Sequence, residues 1–182
     1  YDILNTTMNL LVKANDIDKN TSGLLIVAKN DYSHNKLALQ IKEHSFTREY
    51  EAVVCGRLKE PSGTINAPIG RHKTDRKKMC VTDLNSKEAV THYTVIEQYG
   101  KYAYVRLKLE TGRTHQIRVH MKYIGHPVFG DDVYGTAYKG IEGQCLHARK
   151  IGFIHPVTEE YLEFESPLPE YFTDVLDKIK NI

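Results

Sequence analysis

Two short stretches of the chain concentrate the residue types that do chemistry. The first, Asn15-Asp16-Ile17-Asp18-Lys19-Asn20-Thr21-Ser22-Gly23, places acids, hydroxyls and a glycine just before an apolar run. Such a composition makes a turn; it also sets a carboxylate at the mouth of a sheet, where a substrate could reach it. The second is Thr111-Gly112-Arg113-Thr114-His115-Gln116-Ile117-Arg118-Val119-His120. It is dense in polar and basic groups at the start of a helical pattern, where free N–H groups and the positive end of the dipole favour phosphate or carboxylate. Arg118 lies one turn after Thr114, on the flank of the apolar stripe. Part-buried there, it needs a carboxylate partner; otherwise it is an ordinary surface arginine.

Charge adds a third stretch. Between residues 71 and 78, Arg71, Lys73, Arg76, Lys77 and Lys78 give five positive charges against the single negative of Asp75. A cluster of this kind can neutralise phosphates and release counterions, or it can be a solvated hairpin tip. The net charge of +2 neither demands nor excludes nucleic acid.

Several other chemistries lack their motifs. GxSxG is absent, so Ser22 is not in a nucleophile elbow. Neither GxxxxGK[ST] nor GxGxxG occurs, so no phosphate-cradling loop is expected. Nine histidines invite a metal, but His115 and His120 stand five apart and do not stack as i, i+4, and HExxH is missing. Cys55, Cys80 and Cys145 form no CxxC pair, which argues against a zinc site or a disulfide framework and suits a reducing cytoplasm. The expectation is no metal and no cofactor.

The elements that must position these residues follow from periodicity. Gly23–Lys29 reads as a buried strand. Asp31 reads as the N-cap of an amphipathic helix over residues 32–44, with Leu37, Ala38 and Ile41 on one face. Residues 48–57 are rich in β-formers. Thr91, Tyr93 and Val95, then Val105, Leu107 and Leu109, alternate as half-buried strands do, with Gly100 at the turn between them. Residues 113–124 fit a helix with Ile117, Met121 and Ile124 inward and Gly125 as its stop. Short strands fit near 145–154 and 160–165, and a last helix over 170–180 buries Phe172, Val175, Leu176 and Ile179. The sum is an α+β domain, with a mixed, mostly antiparallel central sheet and flanking helices.

The 182 residues suffice for one domain with a real core, read as a single domain over 1–182. No apolar run approaches the roughly 18 residues of a membrane span, and the first residues do not resemble a signal peptide. A cytoplasmic monomer is the expected state.

Four ordered motifs then carry a resemblance. Asp18-Lys19-Asn20-Thr21-Ser22-Gly23-Leu24-Leu25-Ile26-Val27-Ala28-Lys29 closely resembles the RLDxxTSGLLxxAK signature of RluA-type pseudouridine synthases. Thr111 to His120 is similar to their second signature almost letter for letter. Gly125-His126-Pro127-Val128-Phe129-Gly130-Asp131 resembles GHPxxGD, and Gln144-Cys145-Leu146-His147-Ala148 with Phe153-Ile154-His155-Pro156 resembles QxLHA and FxHP. The resemblance implies a pseudouridine synthase fold with a catalytic cleft across the sheet. It implies an isomerase that flips a uridine out of structured RNA, cleaves its glycosidic bond, rotates the base and rejoins it through C5, without metal or organic cofactor.

By the same resemblance Asp18 aligns with the catalytic aspartate, which attacks or deprotonates at the sugar. Arg118 aligns with the basic residue that pairs with it. Tyr50 aligns with the tyrosine of KxY, which stacks on the flipped base and is a candidate to assist removal of the C5 proton. Flipping costs a few kcal/mol, of which stacking on an aromatic ring returns about 1–3. Arg113 and His115 join Arg71, Lys73, Arg76, Lys77 and Lys78 as candidate RNA contacts that hold the register. Ribosomal RNA is the expected substrate class ahead of transfer RNA.

The sequence departs from the family pattern in three places. Asp16 stands where the family has an arginine that helps displace the target base, which leaves a noncatalytic RNA-binding relative as the alternative. Arg48 replaces the lysine of KxY. The usual first strand and any S4-type RNA-binding domain are not visible ahead of this region. A metal-dependent hydrolase built on the histidines is the third reading.

Overall fold

The structure, a computed structural model, describes residues 18–180. Asn15, Asp16 and Ile17 of the first cluster lie outside the described residues.

The alternation around Val105 builds the middle of the sheet. In β7 (Tyr102–Leu109) Ala103, Val105, Leu107 and Leu109 are buried while Arg106 and Lys108 are exposed, the period-2 outcome of a strand with one face on the core. Antiparallel β6 (Val90–Tyr99) joins β7 through the turn at Gly100, and β3 (Ser62–Asn66) closes that edge. On the other side β2 (Thr47–Cys55) pairs with β7, and β8 (Leu146–Ile154) pairs with β2 across a bulge between Glu49 and Tyr50. The far edge of β8 is shared. Two-residue β1 (Ser22–Gly23) pairs parallel to His147 and Ala148, and β9 (Tyr161–Glu165) pairs antiparallel further along. This seven-stranded sheet is accompanied by a separate hairpin, β4 (Ile69–Arg71) with β5 (Met79–Val81).

Helices cover both faces. On the front, α2 (Gln116–Tyr123) packs Ile117 and Met121 against Ala52, Val54, Val105 and Leu107. On the back, α3 (Glu170–Lys180) packs Phe172, Val175 and Ile179 against Val53 and Cys145, as its periodicity predicts. Helix α1 (Asp31–Lys42) seals one end, where Leu37 meets Phe46, Ile151 and Phe153. Among the described residues no helix is long and apolar enough to cross a membrane.

Three local expectations need correction. The Asn30 carboxamide, not Asp31, caps α1 by accepting from the Ser33 N–H at 2.8 Å; Asp31 becomes the acid of the first turn, where the dipole favours it. Ala38 is exposed, and Leu37 is the buried residue of α1. The run Gly23–Lys29 is not a buried strand. Only Ser22 and Gly23 make a ladder, and beyond them Leu24, Ile26 and Ala28 turn inward while Leu25 is 60% and Val27 38% exposed. A continuous apolar run suggested burial on both faces; the segment lies over the end of the sheet and is covered on one.

The contrast is measurable. Phe172→Ala, at a fully buried ring, should lower stability by about 3–5 kcal/mol in urea unfolding, whereas Leu25→Ala should stay within about 0.5 kcal/mol.

Candidate active site

Arg118 reaches inward from α2 and is 4% exposed. A guanidinium so placed must find acids, and it finds two. Its Nε and Nη2 donate to Oδ2 and Oδ1 of Asp131 at 2.7 and 2.8 Å, a planar two-bond fork. Its Nη1 donates to Asp18 Oδ1 at 2.6 Å. Asp131 is itself fully buried and accepts from the Val133 and Tyr134 N–H groups, each at 2.9 Å. Burial works against the charge on both residues. For Asp131 the bonds from Arg118 and the backbone prevail, and its carboxyl lies below its ordinary value. For Arg118 the bonds and charges of Asp131 and Asp18 prevail, and its pKa lies above the usual one. The Tyr134 ring lies 5.0 Å from the guanidinium carbon, a further favourable contact for a cation.

Asp18 is held from the other side as well. Thr21 Oγ1 donates to Asp18 Oδ2 at 3.2 Å and the Thr21 N–H to the Asp18 carbonyl. Buried Gln144 donates to the Lys19 carbonyl at 2.8 Å and to Thr21 Oγ1 at 2.9 Å, fastening the turn to the strand that follows. Ser22 Oγ lies 2.8 Å from His147 Nδ1 and 2.7 Å from the Tyr171 hydroxyl. His115 Nε2 stands 3.5 Å from Asp18 Oδ1, and its Nδ1 is 2.8 Å from the Tyr134 hydroxyl. Burial holds the His115 pKa below its ordinary value despite the nearby Asp18 charge, so at neutral pH the ring beside Asp18 is uncharged.

The expected helix start at residue 113 gives way to a cap network. His115 adopts a left-handed backbone (φ 56°), and α2 begins at Gln116. Gln116 Oε1 accepts from Thr111 Oγ1 at 2.8 Å and from the Arg113 N–H at 2.9 Å, while its Nε2 donates to Val90 O and Thr91 Oγ1. His120 is fully buried between Thr91 Oγ1 and Ala67 O. Among the described residues no three His, Cys, Asp or Glu side chains gather to hold a metal.

A cleft of about 660 Å³ opens over Asp18. Tyr50 faces it from β2 and Arg71 from the end of β4, with Arg113 and His115 from the approach to α2. Arg118 stands behind Asp18 and does not line the cleft. Burial pushes the Tyr50 hydroxyl up, opposed by Arg48 and reinforced by Asp18, so it carries its proton at neutral pH. Of the basic stretch only Arg71 lines the cleft. Lys73, Arg76 and Lys77 are exposed beyond the ends of the β4–β5 hairpin, and Lys78 pairs with Asp75 at 3.5 Å.

Sequence reasoning missed Asp131 and Gln144. Both stand in quoted motifs, GHPxxGD and QxLHA, but nothing local to either says which distant residue it serves. Arg48 and Lys87 also line the cleft and were not counted among the cations.

Comparison with known proteins gives the family. The profile of the family described as RNA pseudouridylate synthase matches residues 3–123. The chain belongs to that family. Among curated members it is 53% identical over 166 residues to the uncharacterized RNA pseudouridine synthase YlyB of Bacillus subtilis, covering 90% of this chain and 54% of that protein. It is 44% identical over 178 residues to the ribosomal large subunit pseudouridine synthase D of Pseudomonas aeruginosa, covering 90% and 55%. The chain spans about half the length of these curated family members. Among solved structures it is similar to human RNA pseudouridylate synthase domain containing 1 (TM-score 0.71, 29% identity, 91% of this chain and 78% of that one). Human RNA pseudouridylate synthase domain containing 4 shares the fold (TM-score 0.72, 23% identity, 90% and 74%).

Because the Asp131 carboxyl is depressed in the fold, its stabilisation is present above the ordinary carboxylate pKa of about 4 and fades as pH falls through the lower folded value. Asp131→Asn should therefore cost about 3–5 kcal/mol at neutral pH. The loss should shrink as pH falls toward about 2, so that the melting temperature of the variant varies less with acid than that of the parent.

Proposed function

We propose that this chain isomerises uridine to pseudouridine in structured RNA, with Asp18 as the catalytic residue, Arg118 as the cation that holds it, and Tyr50 as the platform for the flipped base. The observation that carries the reading is the Asp18–Arg118–Asp131 chain of bonds at the floor of a cleft that admits a nucleotide. Asp18 is charge-paired and aimed, while Arg118 contributes no free positive charge to the opening. A carboxylate in this setting can act at the sugar of a flipped nucleotide, by attack or by deprotonation. The bond from the base N1 to the sugar breaks, a bond from C5 replaces it, and the proton lost from C5 is matched by one gained at N1. Atoms and electrons balance within the substrate.

The substrate reading is ribosomal RNA ahead of transfer RNA. It rests on relatives named as large-subunit ribosomal enzymes and on a cleft rim of cations suited to phosphate. The three cysteines are free thiols, in keeping with action in a reducing cytoplasm, and a monomer is the working state. Asp18 and Tyr50 lining one cleft, with Arg118 bonded to Asp18 behind it, support the catalytic reading over a binding-only relative.

Tritium release from ribosomal RNA labelled at C5 of uridine tests it. The parent should release label, and Asp18→Ala should release none, a loss of at least several orders of magnitude, while its circular dichroism and RNA affinity stay near the parent's. Turnover by Asp18→Ala at the parental rate would remove Asp18 from the chemistry. Asp16→Arg, which restores the family's basic residue, should tighten RNA binding at matched salt; unchanged or weaker binding would remove that position from RNA recognition.

A further inference from the structure

The two arginines nearest Tyr50 and Asp18 are in opposite conditions. Arg118 spends its donors on two carboxylates. Arg48 has no carboxylate within ion-pair distance among the described residues. Of its five N–H donors, the Nη2 group has one protein acceptor, the Glu110 carbonyl, at a long 3.4 Å. Its Nε is buried with no hydrogen-bond partner among the described residues. A half-buried cation held without an anion costs free energy, and such costs concentrate where a ligand completes the set.

The neighbourhood says which ligand. Arg48 lines the cleft between Tyr50 and Gly112, on the side where Arg113 also lines it, and Arg113 is close enough for its charge to bear on Arg48. A Cβ built on Gly112 would fall 2.2 Å from Arg48 Nη1, so the glycine of the second signature leaves room for this guanidinium. Arg113 spends its Nε on the Glu88 carbonyl at 2.7 Å and has no carboxylate partner among the described residues. Lys87 lines the same cleft. Asp18 is the one acid among the lining residues, and it is already matched by Arg118. An anion seated against Arg48 and Arg113 therefore meets two cations without acids of their own, beside the ring on which the base is read to stack.

We propose that Arg48 and Arg113 form a phosphate clamp that grips an RNA backbone phosphodiester next to the flipped nucleotide. The proposal rests on the RNA-modifying reading above and extends it to a specific contact. The planar fork of Arg48 suits two phosphate oxygens at once. Its flank is fixed by the Phe46 ring, 5.9 Å away, so the fork is oriented before RNA arrives.

The test is binding of a fluorescent oligouridylate to the parent, Arg48→Gln and Arg48→Lys over a range of salt, with melting temperatures and tritium release on the same proteins. Arg48→Gln should weaken binding about tenfold at low salt and flatten the plot of log affinity against log salt by about 0.7, one phosphate's worth for a single strand. Its melting temperature should hold or rise, because a half-buried cation with no carboxylate partner among the described residues has been removed. Arg48→Lys should recover most of the slope. A lower melting temperature with an unchanged slope would make Arg48 structural and overturn the clamp. An unchanged slope with slower turnover at saturating RNA would move Arg48 to the chemistry and overturn it too, as would a parent that does not bind. A parent that binds with the full slope yet never releases tritium would sink the isomerase reading and leave the clamp standing.

Discussion

A guanidinium buried at the centre of a fold imposes its own geometry. Arg118 cannot leave water without acids to meet it, and the planar fork dictates where those acids stand. Asp131 takes two of the three outward directions and is itself pinned by backbone N–H groups. The third direction is then fixed, and Asp18 occupies it. Much else serves this arrangement: the cap network that starts α2 at Gln116, the Tyr134 ring over the guanidinium, and the Gln144 bonds that hold the Asp18 turn against the other end. The turn at Asp18 has little regular structure of its own, and the placement of its carboxylate is borrowed from a helix.

The electrostatics of the cleft divide accordingly. Inside, charges are matched by hydrogen-bonded partners. Around the opening lie cations with no carboxylate partner among the described residues: Arg48, Arg71, Lys87 and Arg113. An RNA strand meets a positive wall and a single acid already paired. Phosphate attraction therefore need not compete with the group proposed to act on the sugar. Low dielectric at the floor strengthens whatever Asp18 does there, and solvent at the rim leaves the outer cations adjustable.

Local pattern made the fold readable where each residue answers to its own element. The alternation of β7, the stripe of α3 and the β-formers of β2 all report burial on one face, and all three elements appear near their expected bounds. The reading failed where burial is decided from a distance. Residues 24–28 are apolar throughout, yet what covers each one is set by how far the sheet end extends. Gln116 looks like a helical residue and is the keystone of a cap, because its partners Val90 and Thr91 come from another strand. At the site, the motifs marked Asp18, Tyr50 and Arg118 as a set; the structure puts Asp18 and Tyr50 on one cleft, with Arg118 bonded to Asp18 from behind. The role of Asp131 was invisible, since an acid thirteen residues from its arginine gives no periodic signal. Charge density located the hairpin, and of the basic stretch Arg71 is the residue that lines the cleft.

The Asp18 turn hangs from residues far along the chain. Ser22 bonds His147 and Gln144 bonds Lys19, each across a separation of 125 positions. Contacts this remote form late and slow the search for the native state. During synthesis the segment carrying Asp18 emerges among the first residues of this sequence, while the strand that fastens it is still to be made. Until that strand has left the ribosome, the carboxylate has no assembled cleft around it. The setting of this carboxylate is therefore completed only once β8 has been made, whatever the order in which the earlier elements form.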